Sequence, residues 1–423
     1  MAVDYGSPWL QVDYGLDLLD STGAWVMSLD DDLVAESLSV DMDAERTIGA
    51  TVSFAVTREL DWGTARVRPN VTVTDATGAS ESWDLGVFVL DTPERVIAET
   101  PPTWQVQGSD LTAVLDTPAG AAMQVTTSDY VLTKVADLIV AQVPGATVNL
   151  SPVSVLTACT EWSWPLDESN TVLRIVNDLL AQVGYEPLWC DRDGTFRSDP
   201  VPVVATRTPV LTIDADADVP VVGEDRTVVH DMWSSPNQWT FVAEAPAGDA
   251  PVEGAGLYVV ANAFDGPSSI SERGGRVVRK VVRLAVADQT ALQALGDAIV
   301  AADRAQTMVI RAVASPLPGL WHATPVRYVD AAVPVDATMT VVRWRLGVES
   351  HDLELVAGWL PPLPERERPR ITWGEVVDAT TGTVRPAGDV ANLRTNKSTA
   401  TLANGDIVLL VPRGSGYSAV KVS

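Results

Sequence analysis

Short runs of alternating apolar and polar residues dominate the chain. Residues 52–57 (VSFAVT) alternate with the period of a half-buried strand, 66–74 (RVRPNVTVT) does so after Pro69, 82–90 (SWDLGVFVL) reads as its partner and 103–108 (TWQVQG) as a further strand. The Asp75-Ala-Thr-Gly78 turn joins the second run to the third. Together they predict an antiparallel β-meander, spaced as in a sandwich or barrel. The same period resumes beyond residue 207, at 209–213, 227–229, 238–243, 257–260, 308–313, 339–346 and 352–356. A loop at 264–276 interrupts it.

Helical spacing appears in three places. Val131, Val135, Leu138 and Ile139 share one face after a cap at Ser128 or Asp129, and Pro144-Gly145 ends that helix. Val172, Val176, Leu179 and Val183 follow an acidic start at Asp167, Glu168 and Ser169 and stop at Gly184. Leu292, Leu295 and Ile299 follow a cap at Asp288. Between the second and third helices, residues 185–197 (YEPLWCDRDGTFR) predict a hairpin turning at Asp191 to Gly194. Four prolines and alternating charge at 360–369 (LPPLPERERP) predict a stiff, solvated connector. The strand-and-turn segment beyond it, with turns at Thr381-Gly382 and Asn404-Gly405-Asp406, has the size of an SH3-like or OB-like barrel.

The expected class is therefore mainly β with an α+β insert. Its expected divisions are β regions at 1–122 and 206–360, the second with one helix, an α+β domain at 123–205, a linker at 361–370 and a small β-barrel at 371–423. With 46% hydrophobic and 20% charged residues, the 423-residue chain has ample material for several cores. Its 56 acidic against 29 basic residues give a net charge of −27, which disfavours any grip on a phosphate backbone. The N-terminal residues lack the basic and apolar regions of a signal peptide, and no apolar run is long enough for a membrane span.

Candidate chemistry is sparse. Cys159 and Cys190 are expected as buried reduced thiols, a single bridge being the alternative, and His230, His322 and His351 are too scattered to share a metal. Asp214, Asp216 and Asp218 imitate the start of a calcium loop, but Val219 and Asp225 stand where that loop needs Gly and Glu. The Asp191-x-Asp193-Gly194 segment reads first as a turn. Gly274-Gly275 leads into a strand-like Arg276-Val-Val rather than a helix, unlike a phosphate loop, and Glu365 and Glu367 fall in the exposed linker. No nucleophile elbow is present. The expectation is no catalytic, cofactor-binding or metal residues, and no enzyme. The 14 tryptophans include Trp9, Trp25, Trp62, Trp83, Trp104, Trp162, Trp164 and Trp189. They fit core and interface packing better than glycan stacking, with Trp162-Ser-Trp164 placing both indoles on one strand face.

The order of these elements resembles the baseplate hub, or tail-tip hub, proteins of phage tails. The resemblance runs over about residues 30–360. It rests on Gly86-Val-Phe88-Val-Leu90, the 108–115 segment GSDLTAVL, Trp162-Ser-Trp164, the 172–184 helix, and Trp189-Cys-Asp191-Arg-Asp193-Gly194-Thr-Phe196. In the second half it extends to Pro316-Leu-Pro-Gly-Leu320, residues 324–328, and the strand at 340–346 returning through His351. It implies two tube-like antiparallel β-barrel domains per chain. It further implies a homotrimeric ring of pseudo-sixfold symmetry at the tail tip of a virion, made in the host cytoplasm. Implied partners are distal tail and tail tube proteins, a tape measure protein and central tip or fibre proteins. DNA would pass during ejection without specific binding, and the host cell surface would lie within contact. The competing expectations are a glycan-binding or receptor-binding minor tail protein and a tail-associated cell-wall hydrolase.

Overall fold

The computed structural model describes residues 3–360 except 8, 61, 92, 98–101, 152–156, 160, 201–206, 218–219, 231–234, 244–255, 265–267, 285–288, 306–307, 333–334, 348–350 and 358–360, and beyond 360 the strands between 372 and 421. The 361–370 linker, the Asp288 cap, Asp218, Val219 and the turns at Thr381-Gly382 and Asn404-Gly405-Asp406 lie outside the described residues. The chain divides into two compact units, Met1–Leu360 and Pro361–Ser423.

The first unit is built on one 15-stranded, mainly antiparallel sheet. Its N-terminal part contains Gln11–Leu19, a strand the alternation analysis missed, paired along its whole length with Arg66–Thr74. Burial alternates residue by residue through Arg66–Thr74, so Val67, Val71 and Val73 face the core while Arg68 and Thr72 face outward. Pro69 sits opposite Leu16 and has no N–H for the ladder. The following 29–30 segment supplies bonds to Leu16 instead: Leu29 N–H donates to the Leu16 carbonyl, and the Leu16 N–H donates to Asp30 Oδ1 at 2.8 Å.

The two β regions at 1–122 and 206–360 do not form separate closed barrels. Residues Arg343 to Leu346, at the end of Val335–Leu346, pair antiparallel with Asp43 to Val40 of Ser39–Asp43, which fuses both halves into one sheet. The fusion has a packing cause. Val40, Met42, Val52 and Phe88 from the first half share a single core with Tyr328, Met339, Trp344 and Leu355 from the second. Splitting them would expose both apolar faces. The path through the sheet ends at Val222–His230 on one side and Trp25–Ser28 on the other.

The α+β segment packs a second core, to which the N-terminal β region adds Leu19, Val87, Leu111 and Leu115. Helices α1 (Val131–Gln142) and α2 (Val172–Gln182) bury Val135, Ile139, Leu173, Val176 and Leu179 against Trp164, Cys190 and Phe196. The caps differ from expectation. Asp129 accepts from the N–H of Thr126 and closes the preceding turn, so Tyr130 stands at the N-cap of α1, which has no side-chain cap. In α2 the cap is Thr171, which accepts from Arg174 N–H, while Asp167 accepts from Ser169 N–H one turn earlier. Gly184 ends α2 with φ +72°, as its position predicts.

Residues 237–305 form a further module inside what the sequence suggests is one β region. Gln238–Ala243 lies between antiparallel Leu257–Ala261 and parallel Arg279–Leu284, and α3 (Gln289–Ala305) crosses one face. Trp239, Phe241, Leu284, Leu292 and Val300 form its core. Asp303 fastens the helix, accepting from Trp239 Nε1 at 2.6 Å and pairing with Lys280 Nζ at 2.8 Å. Gly296 lets α3 approach: a Cβ there would lie 2.8 Å from Phe241 and 2.9 Å from Tyr258. Gly296→Val is expected to destabilise this module by about 1–3 kcal/mol, read as faster amide exchange across 237–305 with the main sheet unchanged.

In the second unit, Thr372–Asp378, Thr383–Pro386, Leu393–Asn396, Gly416–Lys421 and Ile407–Arg413 follow one another around a closed barrel. The third and fifth strands in sequence run parallel, and the remaining pairs are antiparallel.

Candidate functional site

The Asp191 to Gly194 hairpin organises a densely connected site of the first unit. Asp191 Oδ1 accepts from the N–H groups of Asp193 (3.0 Å) and Thr195 (2.9 Å), and its Oδ2 pairs with Arg197 at 2.5 Å. Gly194 supplies φ +77°. The carboxylate is committed to the turn, in keeping with the turn reading of this motif. The turn thrusts Arg192 toward the 316–321 segment, where its Nη2 donates to the Leu320 carbonyl at 2.6 Å and its guanidinium lies 5.8 Å from the Trp321 ring.

Trp321 is the centre of this junction. Its Nε1 donates to the Cys190 carbonyl at 2.7 Å, and its ring tilts against Trp344 at 5.8 Å. Gly86, at φ +109°, makes room: a Cβ there would approach Trp321 to 2.8 Å. Beside it, Trp189 stacks on His322 at 4.8 Å with an interplanar angle of 11°. Three distant stretches of chain thus lock the α+β domain onto the fused sheet. The arrangement fixes orientation, since Arg192 and Trp321 direct their polar atoms at backbone carbonyls. Sequence reasoning singled out the Pro316 to Leu320 segment and the Trp189 to Phe196 motif that contains Arg192, and weighed His322 only as a metal ligand; it missed Trp321 and the contacts that join these residues. The adjoining Trp-His pair after a proline-rich turn is the signal that could have found them.

The other candidate motifs disperse. Asp214 accepts from Asp216 N–H at 2.9 Å, and Asp216 accepts from Ala331 N–H at 2.5 Å, a braced turn. Gly274 and Gly275 lie in a turn at φ +64° and +93°. Cys159 and Cys190 are both free and buried, and burial pushes the Cys190 thiol well up. Among the described residues no group of three or more His, Cys, Asp or Glu is placed to hold a metal ion, and no helix is long and apolar enough to cross a membrane.

Most tryptophans pack. Trp62 pairs with Trp104 at 5.5 Å and Trp83 with Tyr5 at 6.5 Å. Trp162 and Trp164 both turn onto the α+β core, Trp164 Nε1 donating to Asp178 at 2.8 Å. Among the described residues, Trp9 and Trp25 are 78% and 60% exposed.

The architecture has counterparts among solved structures. A tail protein from Neisseria meningitidis MC58 superposes over 81% of this chain and 96% of its own length, with a TM-score of 0.56 at 16% identity. The 43 kDa tail protein of prophage MuSo2 from Shewanella oneidensis superposes over 81% of this chain and 98% of its own, with a TM-score of 0.54 at 13% identity. The chain has the fold of phage tail proteins. The Francisella PdpA–VgrG complex is similar over 99% of this chain and 72% of the matched one, with a TM-score of 0.51 at 9% identity. No protein-family model and no curated protein matches the sequence itself.

Proposed function

We propose that the protein is a structural subunit of a phage tail tip, a baseplate hub whose three copies close a ring that joins the tail tube to the distal tip and conveys DNA. The observation that carries this reading is the single sheet spanning both halves of the first unit, with path ends at Val222–His230 and Trp25–Ser28. A strand edge is a template for another chain, and a head-to-tail contact between unlike edges closes into a ring when the rotation allows. In that ring the two β regions act as the tube-like domains. The excess of carboxylates fits a lumen along which DNA slides, since it offers phosphates no favourable contact. The five-stranded barrel beyond Pro361 has the strand order of an OB-type module.

The partners on this reading are tail tube and distal tail proteins, a tape measure protein and central tip or fibre proteins. The role is non-enzymatic. Electron microscopy of the purified protein or of the intact tail tip is expected to show threefold rings with an axial channel or plug. A persistent monomer, or a lumen lined with arginine, overturns the proposal.

A second reading draws on Trp9 and Trp25, whose exposed indoles suit sugar faces. It makes the chain a receptor-binding tail component. Loss of adsorption to host cells on Trp25→Ala, with rings intact, would favour it.

A further inference from the structure

The 237–305 module has a second face that no described element covers. Strands of an antiparallel sheet alternate core-facing and water-facing residues, and here the α3 side takes Trp239, Phe241, Tyr258, Val260, Val282 and Leu284. The opposite side falls in three registered rows. Thr240 lies between Val259 and Val281, Val242 between Leu257 and Arg283, and Gln238 between Ala261 and Arg279. Leu257, Val259 and Val281 are 58%, 48% and 63% exposed. A face meant for water would carry polar residues at these places.

We propose that this face docks an amphipathic helix of another protein whose aliphatic stripe is flanked by carboxylates. Charge complementarity supports the choice. The patch is bordered on one strand by the exposed Arg279 and Arg283, in a chain whose net charge is −27. Size supports it too. Three strands and five residues make a face of about 14 by 17 Å, enough for one helix of about 11 residues. The resulting area, about 240 Å² per partner, is far below the ~800 Å² of a standard interface, so the docked helix is a weak, transient partner and a second copy would need further contacts elsewhere. Helix α3 already solves the same problem on the other side, meeting the sheet with an aliphatic stripe and with Asp297 and Asp303 bonded to Tyr258 and Lys280. The inference stands apart from the ring and does not require it.

The test uses the full chain and two stapled helical peptides, identical in their leucine stripe but flanked by glutamates in one and lysines in the other. Fluorescence anisotropy is expected to show binding of the glutamate peptide and about tenfold weaker binding of the lysine peptide. Val259→Asp with Val281→Asp should abolish both. Arg279→Glu with Arg283→Glu should invert the preference, a gain that a misfolded variant cannot produce. Equal binding of both peptides, binding of neither, or self-association of the protein abolished by Val281→Asp overturns the proposal.

Discussion

Replacing Asp330 with alanine is expected to lower the stability of the first unit by about 3–5 kcal/mol, measured as a shift in its denaturant midpoint. Asp330 is 1% exposed. Its carboxylate takes both arms of Arg226, Nε to Oδ2 at 2.5 Å and Nη2 to Oδ1 at 3.1 Å, together with the Tyr328 hydroxyl at 3.0 Å and the Ala332 N–H at 2.9 Å. Deleting it strands a guanidinium whose side chain is only 16% exposed, along with a buried phenol and a backbone donor. The bond with Arg226 leads the forces that hold the Asp330 carboxyl below its ordinary range. Its contribution is therefore complete above the usual carboxylate pKa and disappears as pH falls through the depressed value.

The bland alternative is that alanine merely leaves a cavity. Arg226→Met combined with Asp330→Leu separates the two accounts. Removing both charges and refilling the volume should restore most of the loss, since the desolvation penalty of the pair vanishes with it. A cavity-only origin predicts instead that Arg226→Met alone is nearly neutral in the wild-type background. That result would overturn the ion-pair account.

Local chemistry was legible where one residue's neighbours along the chain decide its fate. The alternation of 66–74 foretold which side chains of Arg66–Thr74 are buried, and Gly184 foretold the end of α2. What escaped depends on partners far away in sequence. The fusion of both halves rests on Val40 to Asp43 meeting Arg343 to Leu346, and nothing local distinguishes that edge from a closed barrel's. Asp129 and Asp167 had the residue type of helix caps but bonded to the turns before the helices, an option that Asp offers equally well. Asp330 was invisible among 56 acidic residues because its partner Arg226 lies 104 positions away. The Trp321 junction was half visible: the 316–320 turn was singled out, but the hairpin that grips it reads only as a D-x-D-G turn until the fold brings Arg192 to Leu320.

Acid should act on three further buried or half-buried groups, with opposite signs. His351 is 3% exposed, and its Nδ1 meets the Ser315 carbonyl at 2.8 Å, a contact for the neutral ring bearing a proton on that nitrogen. Burial pushes its pKa down to about 4, against weaker upward pulls from Ser315 and Asp352. The unfolded chain therefore binds the proton first. The stability tied to His351 is whole above the ordinary histidine pKa near 6.5 and is lost as pH falls toward 4, reaching about 3 kcal/mol at that point. Burial likewise holds His322 down to about 4, aided by Arg207, and adds a loss in the same window. Glu186 runs the other way. Burial, with Asp199 nearby and Arg207 opposing, raises it to about 7, so the folded state keeps its proton while the unfolded chain gives it up. Its penalty is largest at neutral pH and fades as pH falls toward the ordinary glutamate value. His351→Asn, which keeps a donor near Ser315, should flatten the decline of stability between pH 6.5 and 4. Glu186→Gln should raise stability at pH 7 by about 1–3 kcal/mol, and the difference should vanish below pH 4.5. Denaturant titrations of the three proteins across pH 4–7 decide the matter. Parallel wild-type and His351→Asn curves would show that the imidazole is charged, or reached by water, in the folded chain.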